Sequence, residues 1–395
     1  MKITNDIYYV GVNDHKVDLF EGQYRVPNGM AYNSYVIMDE KVAVMDTVDA
    51  HFTHEWLDNL QSVLGDRKPD YLIIQHMEPD HSANIANFAA AYPETVIVSN
   101  QKAFAMMENF FEIDLEARKL VVCNGDTLSL GKHQLTFVFA PMVHWPEVMV
   151  TYDSTDKLLF SADAFGAFGA LSGHLFADEV NFERDWLDEA RRYYTNIVGK
   201  YGTQVQALLK KLAGRDIRAI CPLHGPVLTG ARVDRALELY DLWSRYEPEE
   251  RGVLVAYASI HGHTARAAME LTDLLARAGV KAEAFDLARR DWAEGVAQAF
   301  RYSALVLAAS SYDAGVFTPM AQFLYRLKMK NFRGRAVGLV ENGSWGPTAL
   351  KSMQAALAEL KDMTVVEPTV TIRSALDQDS RARLEELAAA MAAAV

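Results

Sequence analysis

From Gly252 onward the chain alternates short, nearly continuous apolar runs with amphipathic stretches, and few folds accept that pattern. Apolar runs of this kind read as strands covered on both faces, and the stretches between them as the covering helices. Strands are expected at 253–259, 282–286, 304–309, 336–341 and 364–372. Helices are expected at 264–278 (closed by Gly279), 319–330, 348–360 and from near Arg381 to the end. Five such strands make an α/β unit with a doubly wound parallel sheet. Before about Trp243 the texture differs: many short β-rich runs (35–38, 42–45, 71–74, 96–99, 135–139, 148–152, 158–161) and few long helices. Between the two lies 246–251, charged, Pro-containing and aperiodic, which reads as a linker. The expected domains are therefore 1–247 and 252–395, in keeping with a 395-residue length.

Composition narrows the function classes. With 39 basic and 52 acidic residues the net charge is −13, so no basic stripe is available for nucleic acid or for an anionic membrane. Cys123 and Cys221 are the two cysteines, too few for a disulfide framework or a thiolate cluster, and a reducing cytoplasm is expected. The N-terminus has no apolar segment behind its lysine, so no signal peptide is expected. The apolar tail 387–395 is far shorter than the roughly 20 residues of a membrane span.

The run at 71–74 leads into Gln75-His76-Met77-Glu78-Pro79-Asp80-His81, an H-x-E-x-D-H pattern with four metal-capable side chains in six residues. A loop is expected here, with Pro79 preventing a simple helical continuation. Alternating donors on such a turn point His76 and Glu78 one way and Asp80 and His81 another, which suits two adjacent metals. Three further candidates each follow an expected strand beside Pro or small residues: His144, Asp163 and His224. A lone histidine in such a loop is ordinarily structural; a four-donor cluster is not.

After 253–259 comes Ser259-Ile260-His261-Gly262-His263-Thr264, then a helix. With no G-x-G-x-x-G and no Walker lysine, neither a dinucleotide nor ATP is indicated. Hydroxyls and amides at a helix N-terminus form an anion site, which a flavin mononucleotide phosphate fits; Thr264 alone would be a routine helix start. Two more loops lie past strand ends, where open α/β sheets bind ligands. One contains Ser311, Tyr312, Asp313, Ala314 and Gly315. The other contains Asn342, Gly343, Ser344, Trp345 and Gly346. Tyr312 and Trp345 offer flat walls for a flavin ring, although loop aromatics serve equally in packing.

The donor order of the first half resembles the metallo-β-lactamase fold, an αββα sandwich whose usual loop is H-x-H-x-D-H. Here Glu78 replaces the second histidine, leaving four imidazoles and three carboxylates. Anionic oxygen ligands favour a redox di-iron site over hydrolytic zinc. Taken with the flavodoxin-like second half, the whole chain resembles the flavodiiron proteins, or A-type flavoproteins. The resemblance implies two iron ions per chain. His76, Glu78 and His144 would hold one, Asp80, His81 and His224 the other, with Asp163 bridging. It implies FMN in the loops just named. The expected activity is reduction of O2 to water, NO to N2O, or both. No Cys-x-x-Cys pair occurs, so a separate electron donor such as rubredoxin or a flavin reductase is expected. A head-to-tail homodimer, or a dimer of dimers, is the implied assembly. Two competitors are a zinc hydrolase of lactamase or glyoxalase type carrying a flavodoxin-like domain, which Glu78 disfavours, and a non-enzymatic electron carrier, which the complete donor set disfavours. A preference between O2 and NO would lie in groups around the metals, with Tyr193, Tyr194 and His174 as candidates.

Overall fold

The computed structural model describes all residues, Met1–Val395. Contacts divide the chain into two units, Met1–Tyr194 with Thr203–Asp241, and Thr195–Gly202 with Leu242–Val395. The segment 195–202, inside the expected first domain, thus packs with the second unit.

In the first unit the β-branched runs pair into two six-stranded sheets. One runs Ile7–Tyr9, Tyr35–Met38, Val42–Met45, Tyr71–Ile73, Val96–Ser99, Lys119–Val121. The other runs Thr127–Ser129, Gln134–Phe139, Met149–Asp153, Leu158–Phe160, Ala219–Cys221, Leu228–Thr229. Their inner faces form one core, in which Tyr35, Ile37, Met45 and Ile73 meet Phe137, Met149, Phe160 and Cys221. Two parallel pairings set up the site. Val42–Met45 beside Tyr71–Ile73 brings Asp46 next to Gln75. Leu158–Phe160 beside Ala219–Cys221 brings Ala162 next to Leu223, whose amide donates to the Ala162 carbonyl at 2.9 Å.

The second unit is a five-stranded parallel sheet in the order Ala282–Asp286, Glu250–Ala258, Tyr302–Tyr312, Ala336–Asn342, Thr364–Ile372. The chain starts in an inner strand, adds one neighbour on one side and three on the other, so its ligand crevice falls where the winding reverses. Two core clusters, one on each face, hold Leu254, Phe285 and Leu307 in one and Val253, Val255 and Val306 in the other. The expected linker proves to be structured. Glu250 already pairs in the sheet with Tyr302, and its carboxylate meets Lys281 and Arg301. Tyr246 is buried, donates from its hydroxyl to the Gly199 carbonyl (2.9 Å), and accepts Arg335 Nη1 at its own carbonyl (2.7 Å). Part of the charge at 246–251 therefore serves packing, while Glu247 and Arg251 stay exposed. A helix absent from the sequence expectation, Trp292–Arg301, starts at an Asp291 cap. Its buried face carries Ala293, Gly295, Val296, Ala297, Gln298, Ala299 and Phe300. The last helix begins at Gln378, not near Arg381, because Asp377 and Ser380 cap it reciprocally. No helix is long and apolar enough to cross a membrane.

Candidate metal centre and cofactor cavity

The loop after Tyr71–Ile73 carries His76, Glu78, Asp80 and His81 to one end of the sandwich. Pro79 opens a single helical turn there, Pro79–Ser82, instead of barring a helix. Proline is suited to a first helical position, where its missing N–H would go unused in any case. The turn is what separates the donors. His76, Glu78, His144 and Asp163 offer ligand atoms mutually within 4.8 Å, and Asp80, His81 and His224 form a second such group. Asp163 faces both. Its Oδ2 lies 3.0 Å from His144 Nε2 and 3.3 Å from His76 Nε2; its Oδ1 lies 3.3 Å from His81 Nε2 and 3.8 Å from His224 Nε2. Glu78 Oε2 is 3.1 Å from His144 Nε2, and Asp80 Oδ2 is 3.3 Å from both His81 and His224 Nε2. Donors about 2.0–2.2 Å from a shared ion keep separations of this order from one another.

The set is incomplete as protein alone. Both Asp80 oxygens and Asp163 Oδ1 are buried with no hydrogen-bond partner. The Nε2 atoms of His81 and His224 face each other at 3.0 Å. Buried polar atoms are normally paired, so a cation among them is the simplest way to satisfy all. The charges are strongly mutual. Burial would lower the His144 pKa, yet the Asp163 and Glu78 carboxylates raise it to about 9. Burial would raise Glu78 and Asp163, yet the imidazoles hold both below the ordinary carboxylate range.

Around the donors lies a layer that sequence reasoning missed. Glu147 Oε1 takes the Met77 amide at 2.9 Å and meets His76 Nδ1 at 2.8 Å, fixing the ring so that Nε2 faces inward. Asp46, raised to about 6 by burial, accepts the Gln75 backbone and side-chain amides at 2.7 and 2.9 Å. His224 Nδ1 lies 2.7 Å from the Ala31 carbonyl, while Asn33 and Tyr35 pin the Pro222 carbonyl. The only available hints were a carboxylate three residues past His144 and another just after a strand. Asp46, Met142, Ala162 and Phe165 all adopt positive φ beside these loops, in keeping with strain stored around a functional site. Tyr193 packs its ring 5.5 Å from His224, and its buried hydroxyl has no partner. His174 instead lines a separate cavity with His15 and Trp186.

In the second unit, the C-terminal ends of Glu250–Ala258, Tyr302–Tyr312 and Ala336–Asn342 open onto a cavity of about 820 Å³. That volume is in the range of cofactor sites. Of the residues named from sequence, His261, His263, Thr264, Ser311, Tyr312, Asp313, Ala314, Asn342, Gly343, Ser344, Trp345 and Gly346 line it. Ser259, Gly262 and Gly315 do not. Ser259 Oγ accepts the Gly262 amide at 3.1 Å and shapes the loop, and the Gly315 carbonyl accepts Thr348 Oγ1 at 2.9 Å. Ile260 and Ser310, within the loops expected to bind the cofactor, also line it, and Thr348 and Ser374 join the lining unforeseen. Asp313 and Ala314, at φ 47° and 56°, make the two-residue turn of a hairpin in which Tyr312 pairs with Gly315. Gly343 is required by space, since a Cβ there would stand 2.7 Å from Pro347 Cα. Tyr312 is half exposed and Trp345 is 93% exposed at the rim, so both present open aromatic surface.

A metallo-β-lactamase-like sandwich holding a paired donor site, with a flavodoxin-like sheet after it, defines a narrow class. A profile described as ODP family beta lactamase matches residues 30–225. The chain is 29% identical over 399 residues to a nitric oxide reductase of Moorella thermoacetica, covering 100% of this chain and 98% of that protein. It is 30% identical over 363 residues to the anaerobic nitric oxide reductase flavorubredoxin of Escherichia coli, covering 90% of this chain and 75% of the relative. Among solved structures, the flavodiiron protein of Giardia intestinalis superposes with TM-score 0.92 at 25% identity, covering 100% of this chain and 95% of that one. The rubredoxin oxygen:oxidoreductase of Desulfovibrio gigas superposes with TM-score 0.91 at 28% identity, covering 100% and 98%. The chain belongs to the flavodiiron protein family, and is an oxidoreductase rather than a zinc hydrolase.

Proposed function

We propose that this protein reduces O2 to water, NO to N2O, or both, at a di-iron site, with electrons arriving through FMN from a separate donor. The observation that carries the reading is the sorting of seven donors into two groups about the two oxygens of Asp163. His76, Glu78 and His144 would hold one iron, Asp80, His81 and His224 the other, and Asp163 would bridge. When bound, the irons and FMN would supply the electrons and a template for the small ligand: four electrons per O2, with four protons taken up in all, or two of each per pair of NO molecules, protons that the reduced flavin does not carry coming from solvent. The protein's own contribution is positional. Glu147 and the Ala31 carbonyl fix two imidazoles through their far nitrogens, which preserves ring orientation and raises ligand basicity. Trp145, edge-on to His76, and Phe20 and Tyr193 against His224 wall the site with apolar surface and limit water.

The FMN reading rests on the cavity's size, its aromatic rim and the helix end at its floor. The donor class is rubredoxin, in line with the names of two relatives, or a flavin reductase. A cytoplasmic setting accords with two free cysteines. For assembly we propose a head-to-tail homodimer, alone or paired into a dimer of dimers, with one subunit's FMN beside its partner's irons. The exposed Trp345 and Tyr312 at the cavity rim support a docking surface there.

Metal analysis combined with O2 and NO consumption tests the reading. Iron, with steady consumption of either gas under a reduced donor, is expected. Zinc, with no consumption of either gas, would overturn it. For the dimer, a His81→Ala/His224→Ala variant mixed with an FMN-deficient one should regain part of the activity. Mixtures that re-associate and stay inactive would exclude the arrangement.

A further inference from the structure

The cavity of the second unit has an unusual charge inventory for a phosphate-bearing ligand. None of its lining residues is Lys or Arg, and His261 and His263 are the only lining side chains able to carry positive charge. Both are exposed to the cavity side of the loop that opens the helix His263–Arg277. That helix begins at Gly262 with no side-chain cap, and its first turn contains no acidic residue. Gly262 stands at φ +90° with open space where a side chain would be. Hydroxyls of Thr264 and Ser310 meet at 2.9 Å beside it.

We propose that His261 and His263 are the two side chains that balance the charge of the cofactor's terminal phosphate. The inference rests on the FMN reading above and adds to it the residues that read the phosphate charge. A phosphomonoester carries about −1.5 to −2 charges at neutral pH. A helix N-terminus offers about half a positive charge, so more than one charge is left for side chains to balance. From the facing hairpin come Asp313, which adds negative charge, and Tyr312. The loop 342–346 and Ser374 bring no ionisable group, and Arg266, further along the helix, is not among the lining residues.

The test is flavin release from the full-length holoprotein, read as recovery of flavin fluorescence on dilution. Losing one charge-assisted hydrogen bond corresponds to roughly tenfold in affinity. FMN should therefore bind roughly a hundredfold more weakly to His261→Gln/His263→Gln than to the parent. Riboflavin, which lacks the phosphate, should bind both proteins alike. His263→Lys, which keeps a cationic side chain at that position, should keep FMN bound. Equal FMN affinities for parent and double variant would overturn the role of the histidines and leave the flavin reading standing. Failure of both FMN and riboflavin to bind the parent would remove the flavin reading, and this inference with it.

Discussion

The two sites solve opposite problems. In the first unit, charged groups are taken out of water: His76, His81, Asp163 and His224 are fully buried, and Asp163 Oδ1 and both Asp80 oxygens have no protein partner. A cation among them compensates such an arrangement, and Glu147 and the Ala31 carbonyl fix the His76 and His224 rings from outside. In the second unit the ligand-facing groups are mostly hydroxyls, small loops and a helix end around an open crevice, and its two aromatics stand in solvent. That site is complete as protein and has no buried charge to compensate. One is a rigid, high-energy cage; the other is a shaped opening whose strength comes from topology.

If this contrast is right, damage to the cage should be severe and confined to metal. Asp163→Ala removes the one carboxylate that faces both donor groups. Iron should fall from about two ions per chain to well below one, and gas consumption to background, while the protein stays yellow. Simultaneous loss of flavin would break the separation of the two sites. Glu147→Gln is gentler. It keeps the shape but weakens the acceptor at His76 Nδ1, and outer partners of this kind are worth 10–100-fold in metal affinity. Chelator competition measures it, and an unchanged affinity would mean that the ring is held by packing alone.

On the open side, single contacts should matter less. Thr264→Ala removes a hydroxyl next to the helix end and its bond to Ser310. FMN retention should weaken by roughly tenfold or less, with iron content unchanged. Fluorescence titration checks this, and a complete loss of flavin would show the crevice to be as intolerant as the cage.

The same contrast explains what could be read in the chain beforehand. The metal donors stand out because the chemistry resides in side-chain identity: a cluster such as His76-x-Glu78-x-Asp80-His81 has few structural uses. Glu147 and Asp46 were illegible because a single carboxylate near a loop is common, and only pairing across strands reveals its partner. In the second unit the alternation of strands and helices followed from periodicity, yet Thr348 and Ser374 reach the cavity through backbone shape that leaves no mark in residue type. Helix Trp292–Arg301 went unread although Trp292, Val296 and Phe300 recur at helical spacing, and the 246–251 segment was hidden by charges, of which Glu250 pairs with Lys281 and Arg301.

The smallest predicted effect lies away from both sites and asks whether buried charge without a metal behaves differently. His133, in the turn between Thr127–Ser129 and Gln134–Phe139, is fully buried. Its Nδ1 lies 2.8 Å from Asp153 Oδ2, its Nε2 lies 3.5 Å from Asp6 Oδ2, and its amide donates to Asp39 Oδ2 at 2.6 Å. Asp6 precedes a strand of the first sheet and His133 belongs to the second, so the imidazole ties the two sheet edges together. Burial pushes its pKa down, but Asp153, Asp156 and Asp39 outweigh this and raise it. A raised folded-state value means that the native protein holds the proton more tightly than the unfolded chain does. The stabilisation is then complete below the ordinary histidine value of about 6.5, and is lost as pH climbs through the folded-state value. His133→Gln should lower stability by about 1.5 kcal/mol at pH 6, the low end of the range for a hydrogen bond to a charged group, and by much less at pH 9. Thermal melts of parent and variant across that interval measure the difference. A gap in Tm that does not narrow with rising pH would mean that His133 acts as a neutral spacer, and that buried imidazolium in this fold is confined to the metal cage.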